Sequence, residues 1–146
     1  MGSATRYAEV NAPVAEVYAY WKNFENFPAM FSDVEKVVVD GTTSHWVVSG
    51  PAGKSVEWDA EVTEDVPNER IAWRSVGENT VDTSGVVRFD EGVGDATKVT
   101  VALSYDPPAG KLGEIVAEVL KDPDGQLERA LQEFSRIVES GGLRTA

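Results

Sequence analysis

The chain has 146 residues, 25 acidic against 13 basic side chains and hence a net charge of −12, and no cysteine. Disulfides, thiol nucleophiles and cysteine metal sites are excluded, and the lone histidine, His45, excludes multi-histidine centres. The acidic balance opposes phosphate backbones and anionic membrane surfaces, so nucleic acid is not an expected partner.

Length predicts one domain over residues 1–146, large enough to bury its own core. No apolar run approaches the ~18 residues of a membrane span, and the start lacks a signal-peptide core. "MGSATR" places Arg6 where a myristoylation signal needs Ser or Thr. A cytoplasmic protein is the expectation.

In chain order, "TRYAEVN" reads as a strand and "APVAEVYAYW" as a helix with Pro13 at its first position. Val14, Val17, Tyr18 and Trp21 fall at i, i+3, i+4, i+7, a single buried face. Asn23 is placed to cap a second short helix carrying Phe24, Phe27 and Phe31. Pro28 must lie in or near its first turn, where no helical N–H is lost. From Val34 to Tyr105 the period becomes two, predicting strands near 34–40, 43–50, 54–64, 69–77, 84–91 and 96–105. The breaks "DGTT", "GPAG", "VPNE", "GENTVDT" and "EGVGD" are turns or loops, so the strands form an antiparallel meander. Helical period returns over 111–140, with Leu112, Ile115, Val116, Val119 and Leu120 in one stripe and Leu127, Leu131, Phe134 and Val138 in the next. Pro123 predicts a restart capped by Asp122, and Gly141 and Gly142 end the element. The result is an α+β chain with helices segregated against an antiparallel sheet of about seven strands.

Strand alternation assigns an inside and an outside. Val56, Trp58, Ala60 and Val62 oppose Glu57, Asp59 and Glu61; Ile71, Trp73 and Ser75 oppose Arg70, Ala72 and Arg74; Val87 and Phe89 oppose Arg88. The outward acids and arginines are expected to form a solvated cross-strand ladder. Trp46, Val48, Trp58, Trp73, Phe89, Val99, Val101, Leu103 and Tyr105 are expected to face the C-terminal helix, with Trp58 and Trp73 largely buried. Such aromatics can be plain core or the wall of an apolar pocket.

This order of elements resembles the helix-grip fold of the START-like superfamily, also called the Bet v 1-like or SRPBCC group. Within it the chain is most similar to the polyketide cyclase/dehydrase branch, near the coenzyme Q-binding START-like proteins. The resemblance is carried by "NAPVAEVYAYWKNFENFPAMFSDVEKV", "SHWVV", "VEWDAEVTEDVPNERIAWRS", "SGVVRF", "TKVTVALSYDPPAG" and "LERALQEFSRIVE", from about Arg6 to Gly141. It implies a curved sheet around a long C-terminal helix, with two short helices after the first strand and a cavity between sheet and helix. Members bind lipids, sterols, quinones or polyketides, and a minority catalyse cyclisation or dehydration.

The expected ligand-contacting residues are Phe27, Met30 and Phe31 at the mouth, and Trp46, Trp58, Trp73, Ser75, Phe89, Leu103 and Tyr105 on the sheet. Leu127, Leu131 and Phe134 complete the set on the helix. A flexible methionine among aromatics suits an adaptable mouth. Catalytic candidates are few. His45 alternates with Trp46 onto the outer face, which breaks any Ser/His/Asp set, and the polar candidates near the cavity are Ser75, Tyr7, Tyr18 and Tyr105. "DEGVGDATK" lacks phosphate-loop spacing, and "DPDG" sits in a register that puts Leu120 and Leu131 at the first and twelfth ligand positions of a calcium loop. No metal or cofactor is expected. Binding or carriage of an apolar small molecule is the first reading; a polyketide cyclase or dehydratase using a cavity hydroxyl is the second.

Overall fold

A computed structural model describes residues 2–49, 55–77, 82–106 and 123–141. Seven strands form one antiparallel sheet: β1 (Gly2–Val10), β2 (Val34–Asp40), β3 (Thr43–Ser49), β4 (Ser55–Val66), β5 (Arg70–Val76), β6 (Asp82–Glu91) and β7 (Thr97–Asp106). Their order is β1-β7-β6-β5-β4-β3-β2, so the first two strands form opposite edges. Between them run α1 (Val14–Lys22), a 3₁₀ turn (Phe24–Asn26) and α2 (Phe27–Met30). The long helix α3 (Pro123–Glu139) completes an α+β helix-grip arrangement. The expected segment 111–121, with its apolar stripe, lies outside the described residues, as do Asp122 and Gly142.

Local chemistry sets these boundaries. Pro13 stands one residue before α1, its carbonyl accepting the N–H of Glu16 and Val17 at 3.1 Å each. Glu16 in the first turn and Lys22 in the last complement the helix dipole. Asn23 accepts the Glu25 N–H at 3.2 Å through its side chain, and Pro28 occupies the first turn of α2. Asn68 turns the β4–β5 hairpin with φ 63°, a left-handed conformation that asparagine tolerates. The α3 helix starts at Pro123, as expected, and ends before Gly141 at φ 80°.

The alternation holds along β3 and β5 and through most of β4 and β6, but not on the edge strand β2, where only Val37 is buried and Val38 and Val39 are both exposed. Along β3 each second residue is buried, Ser44, Trp46 and Val48 inward, while His45 is half-buried on the outer face. Ile71, Trp73, Val87, Phe89, Val99 and Val101 are buried with them on the inner face of the sheet, and Leu127, Ala130, Leu131 and Phe134 are buried on α3. Val138 is only partly buried at the helix end. Trp58 departs from the expectation of deep burial: it is half-buried, because it lies beside a cavity rather than beneath packed side chains. A buried 2.7 Å hydrogen bond from the Thr97 hydroxyl to the Ala12 carbonyl ties β7 to the entry of α1.

The outward charges pair differently from a simple ladder. Glu61 does stand opposite Arg74, but a bulge between Val62 and Glu64 shifts the β4–β5 register. Arg70 therefore reaches Glu64, at 2.7 Å, and itself faces Arg88 on β6. On the other side, Glu57 and Asp59 turn to His45.

Candidate functional site

The second short helix determines where the sheet is covered. Phe27 meets the indoles of Trp46 and Trp73 edge-on, at centroid distances of 5.1 and 5.7 Å, and Phe31 stacks on Phe27 at 5.4 Å. Phe24 fills the remaining side, 5.1 Å from Trp73. Offset and edge-on pairs of this kind add to the burial of the rings themselves. On the sheet, Trp46 lies parallel to Trp58 within 4° and to Trp73 within 12°, both at 6.4 Å. The Trp46 N–H donates to the buried Ser44 hydroxyl at 2.7 Å, so this indole turns its apolar face to the interior.

Beside these parallel rings the sheet and α3 enclose a cavity of about 110 Å³ that opens to solvent. Its apolar wall is Phe27, Met30, Phe31, Val34, Val48 and Leu103, together with the three tryptophans. Polar groups gather at its edge: Thr83 and Tyr105 on β6 and β7, and Asp33, Gln126 and Arg129 on the opposite lip. The Gln126 amide donates to Asp33 at 2.9 Å, joining α3 to the loop after α2. The Thr83 hydroxyl donates to the Ser104 carbonyl at 3.1 Å.

Of the residues proposed from sequence, Phe27, Met30, Phe31, Trp46, Trp58, Trp73, Leu103 and Tyr105 come together around this space. The other five do not line it. Phe89 is buried against Tyr18, edge-on at 5.7 Å, and Phe134 against Trp21 and Tyr20 at 5.3 and 5.5 Å. Leu127 and Leu131 are buried in the core, Leu131 turned toward β1. Ser75 is buried too; its hydroxyl accepts the Thr83 N–H at 2.9 Å, just past the last paired residues of β5 and β6. It serves the sheet.

The other hydroxyl candidates also move away from the cavity. Tyr7 is exposed on the edge strand with the Lys98 ammonium 4.5 Å above its ring. Tyr18 donates to Asp65 across a separate, wider depression of about 710 Å³ beside α1. Burial first, and then the Asp65 carboxylate, push the Tyr18 phenol above its ordinary range. Lys22 also reaches Asp65, at 3.4 Å, so this carboxylate is already engaged by two groups. Tyr105 alone of the four hydroxyl candidates lines the cavity.

Thr83, Asp33, Gln126 and Arg129 were not foreseen from the sequence. Gln126 and Arg129 follow an i, i+3 spacing, but adjacency to Asp33 depends on residues 93 apart in sequence. Among the described residues, no group of three or more histidines and acids is arranged to hold a metal. No helix among them is long and apolar enough to cross a membrane.

Fold and cavity thus define a START-like helix-grip protein with an apolar chamber under its C-terminal helix. Residues 10–132 match the family described as "Polyketide cyclase / dehydrase and lipid transport", and the chain belongs to it. A 17.2 kDa protein of Streptomyces lincolnensis, encoded between melC2 and rnhH, is 36% identical over 148 residues, covering 99% of this chain and 95% of the relative. The crystal structure of DR_A0006 from Deinococcus radiodurans superposes with a TM-score of 0.80 at 31% identity, covering 97% of this chain and 99% of that one. The Zhui aromatase/cyclase of a Streptomyces species shares the fold at a TM-score of 0.72 and 18% identity, over 94% of this chain and 93% of its own.

Proposed function

We propose that this protein binds an apolar small molecule, seating one ring or a group of similar size in the chamber beneath α3. The observation that supports this reading is the aromatic-walled cavity of about 110 Å³, bounded by Trp46, Trp58, Trp73 and the α2 aromatics. Apolar cavities of about 150 Å³ accept benzene, so the space matches one ring and not a whole long-chain lipid. A larger ligand extends through the open mouth. The family description, which joins cyclases with lipid transport, agrees with a chamber that shelters apolar molecules.

A catalytic reading, cyclisation or dehydration of a polyketide, draws on Tyr105 and Thr83 at the cavity edge. Binding is favoured because the interior wall is apolar and the polar groups stand at the rim. N-phenyl-1-naphthylamine, a neutral apolar fluorophore, tests the first reading. We expect saturable binding with quenching of tryptophan emission, lost in Leu103→Trp while the thermal midpoint stays within a few degrees. Absence of saturable binding, or binding indifferent to Leu103→Trp, would overturn it.

A further inference from the structure

Resting on the cavity reading, we propose that the ligand carries a carboxylate, or an equivalent organic anion, held by Arg129 while its planar body lies against the tryptophans. Arg129 is the only cation lining the chamber among the described residues. Three other arginines of this acidic chain are paired, Arg6 with Asp124, Arg70 with Glu64 and Arg136 with Glu133, whereas Arg74 and Arg88 stand on the outer face of the sheet, away from the chamber. Arg129 forms no ion pair with a described acid. Its helical neighbour at i+4, Glu133, is taken by Arg136. The one acid on the same lip, Asp33, receives the amide of Gln126, which stands one turn before Arg129 on the same side of α3.

The chemistry of the two ends is therefore distinct. The interior offers three near-parallel indole planes, which suit a flat aromatic or conjugated body better than a branched one. The rim offers a guanidinium with its donor fork unengaged by any described acid, and a fork of this shape matches a carboxylate in bidentate geometry. With a net charge of −12, the protein as a whole repels anions. An anionic head must therefore gain its affinity locally, at Arg129.

The test compares 2-naphthoic acid with methyl 2-naphthoate, bodies of the same shape with and without the charge, by titration calorimetry at pH 7.5. On the native protein we expect the acid to bind about tenfold tighter than the ester, the scale of one charge-assisted contact. Arg129→Gln should abolish that preference, read as the ratio of acid to ester affinity in the same variant; Arg129→Lys should restore part of it, and raised salt should weaken only the acid. Equal binding of acid and ester, or acid binding indifferent to Arg129→Gln, would overturn the anion site while leaving the apolar chamber intact. Binding of neither molecule would overturn the chamber reading, and the anion site with it.

Discussion

Two stretches of α3 face the same sheet with opposite results. Beside Gln126 and Arg129 the space between helix and strands is open, whereas two turns later Phe134 closes it against Trp21 and Tyr20. Both regions are rich in aromatics. They differ in how the rings meet. In the closed half, rings from two helices interlock, Phe134 meeting Trp21 edge-to-face and Tyr20 at a tilt, and Phe134 and Trp21 are fully buried. In the open half, the indoles of Trp46, Trp58 and Trp73 lie parallel on the sheet, and α3 presents a glutamine and an arginine above the lip instead of another ring. In this protein the space under the helix is chamber or core according to the side chains that the helices bring in.

Removing the plug is the strongest way to break this contrast. Phe134→Ala should cost about 3–5 kcal/mol, measured by urea unfolding, because the ring is fully buried and its neighbours are held by other contacts. If the stretch is a true plug, the same variant should enlarge the chamber inward and accept longer apolar probes. A loss below about 1 kcal/mol would mean that the two halves are packed alike.

A smaller effect is expected at Gly85, where the sheet makes room for the chamber wall. A Cβ there would stand 2.3 Å from the Trp73 ring, which is buried and cannot swing aside freely. Gly85→Ala should cost about 1–3 kcal/mol and should alter the near-ultraviolet circular dichroism of the tryptophans together with probe affinity. Unchanged dichroism and binding would show that Trp73 has slack that the packing does not suggest.

The smallest effect lies on the outer face of the same strands. His45 contacts Asp59 through Nδ1 at 2.7 Å and Glu57 through Nε2 at 2.8 Å. Only the protonated ring can donate to both, and these two contacts, Asp59 first, raise the imidazole above its ordinary 6.5. A pKa raised on folding contributes stability that is fully present below the unfolded value of about 6.5 and is lost as pH rises through the folded value. The stability difference between the native chain and His45→Gln should therefore shrink on going from pH 6 to pH 9 in urea titrations. Probe binding should stay constant throughout, although Trp46 is the next residue. A difference growing with pH, or a change in probe affinity, would contradict the separation of the two faces.

Much of this was legible in the chain. Period-two alternation identified the inward tryptophans and the outward acids, since each residue step along a strand reverses the side chain. Proline chemistry located the starts of α2 and α3, because Pro28 and Pro123 lack an N–H that the first turn leaves unbonded anyway, while Asn23 caps the 3₁₀ turn that precedes α2 instead of the helix itself. The same patterns supplied the aromatic half of the chamber. They failed at Ser75, Phe89, Leu127, Leu131 and Phe134, which are buried but do not line the cavity.

Alternation and helical period report the face a side chain takes, and both are local quantities. The depth at which that face meets another ring, a void or solvent depends on where α3 lies along the sheet. Only tertiary structure decides this, through contacts such as Gln126 to Asp33 and Phe134 to Trp21 between residues 93 and 113 positions apart. The sequence by itself determined that this would be an antiparallel sheet gripping a helix with aromatics inside. The fold decided which aromatics enclose a space and which fill it, and brought Arg129 to the rim, because close packing over long sequence separations leaves no periodic trace in the chain.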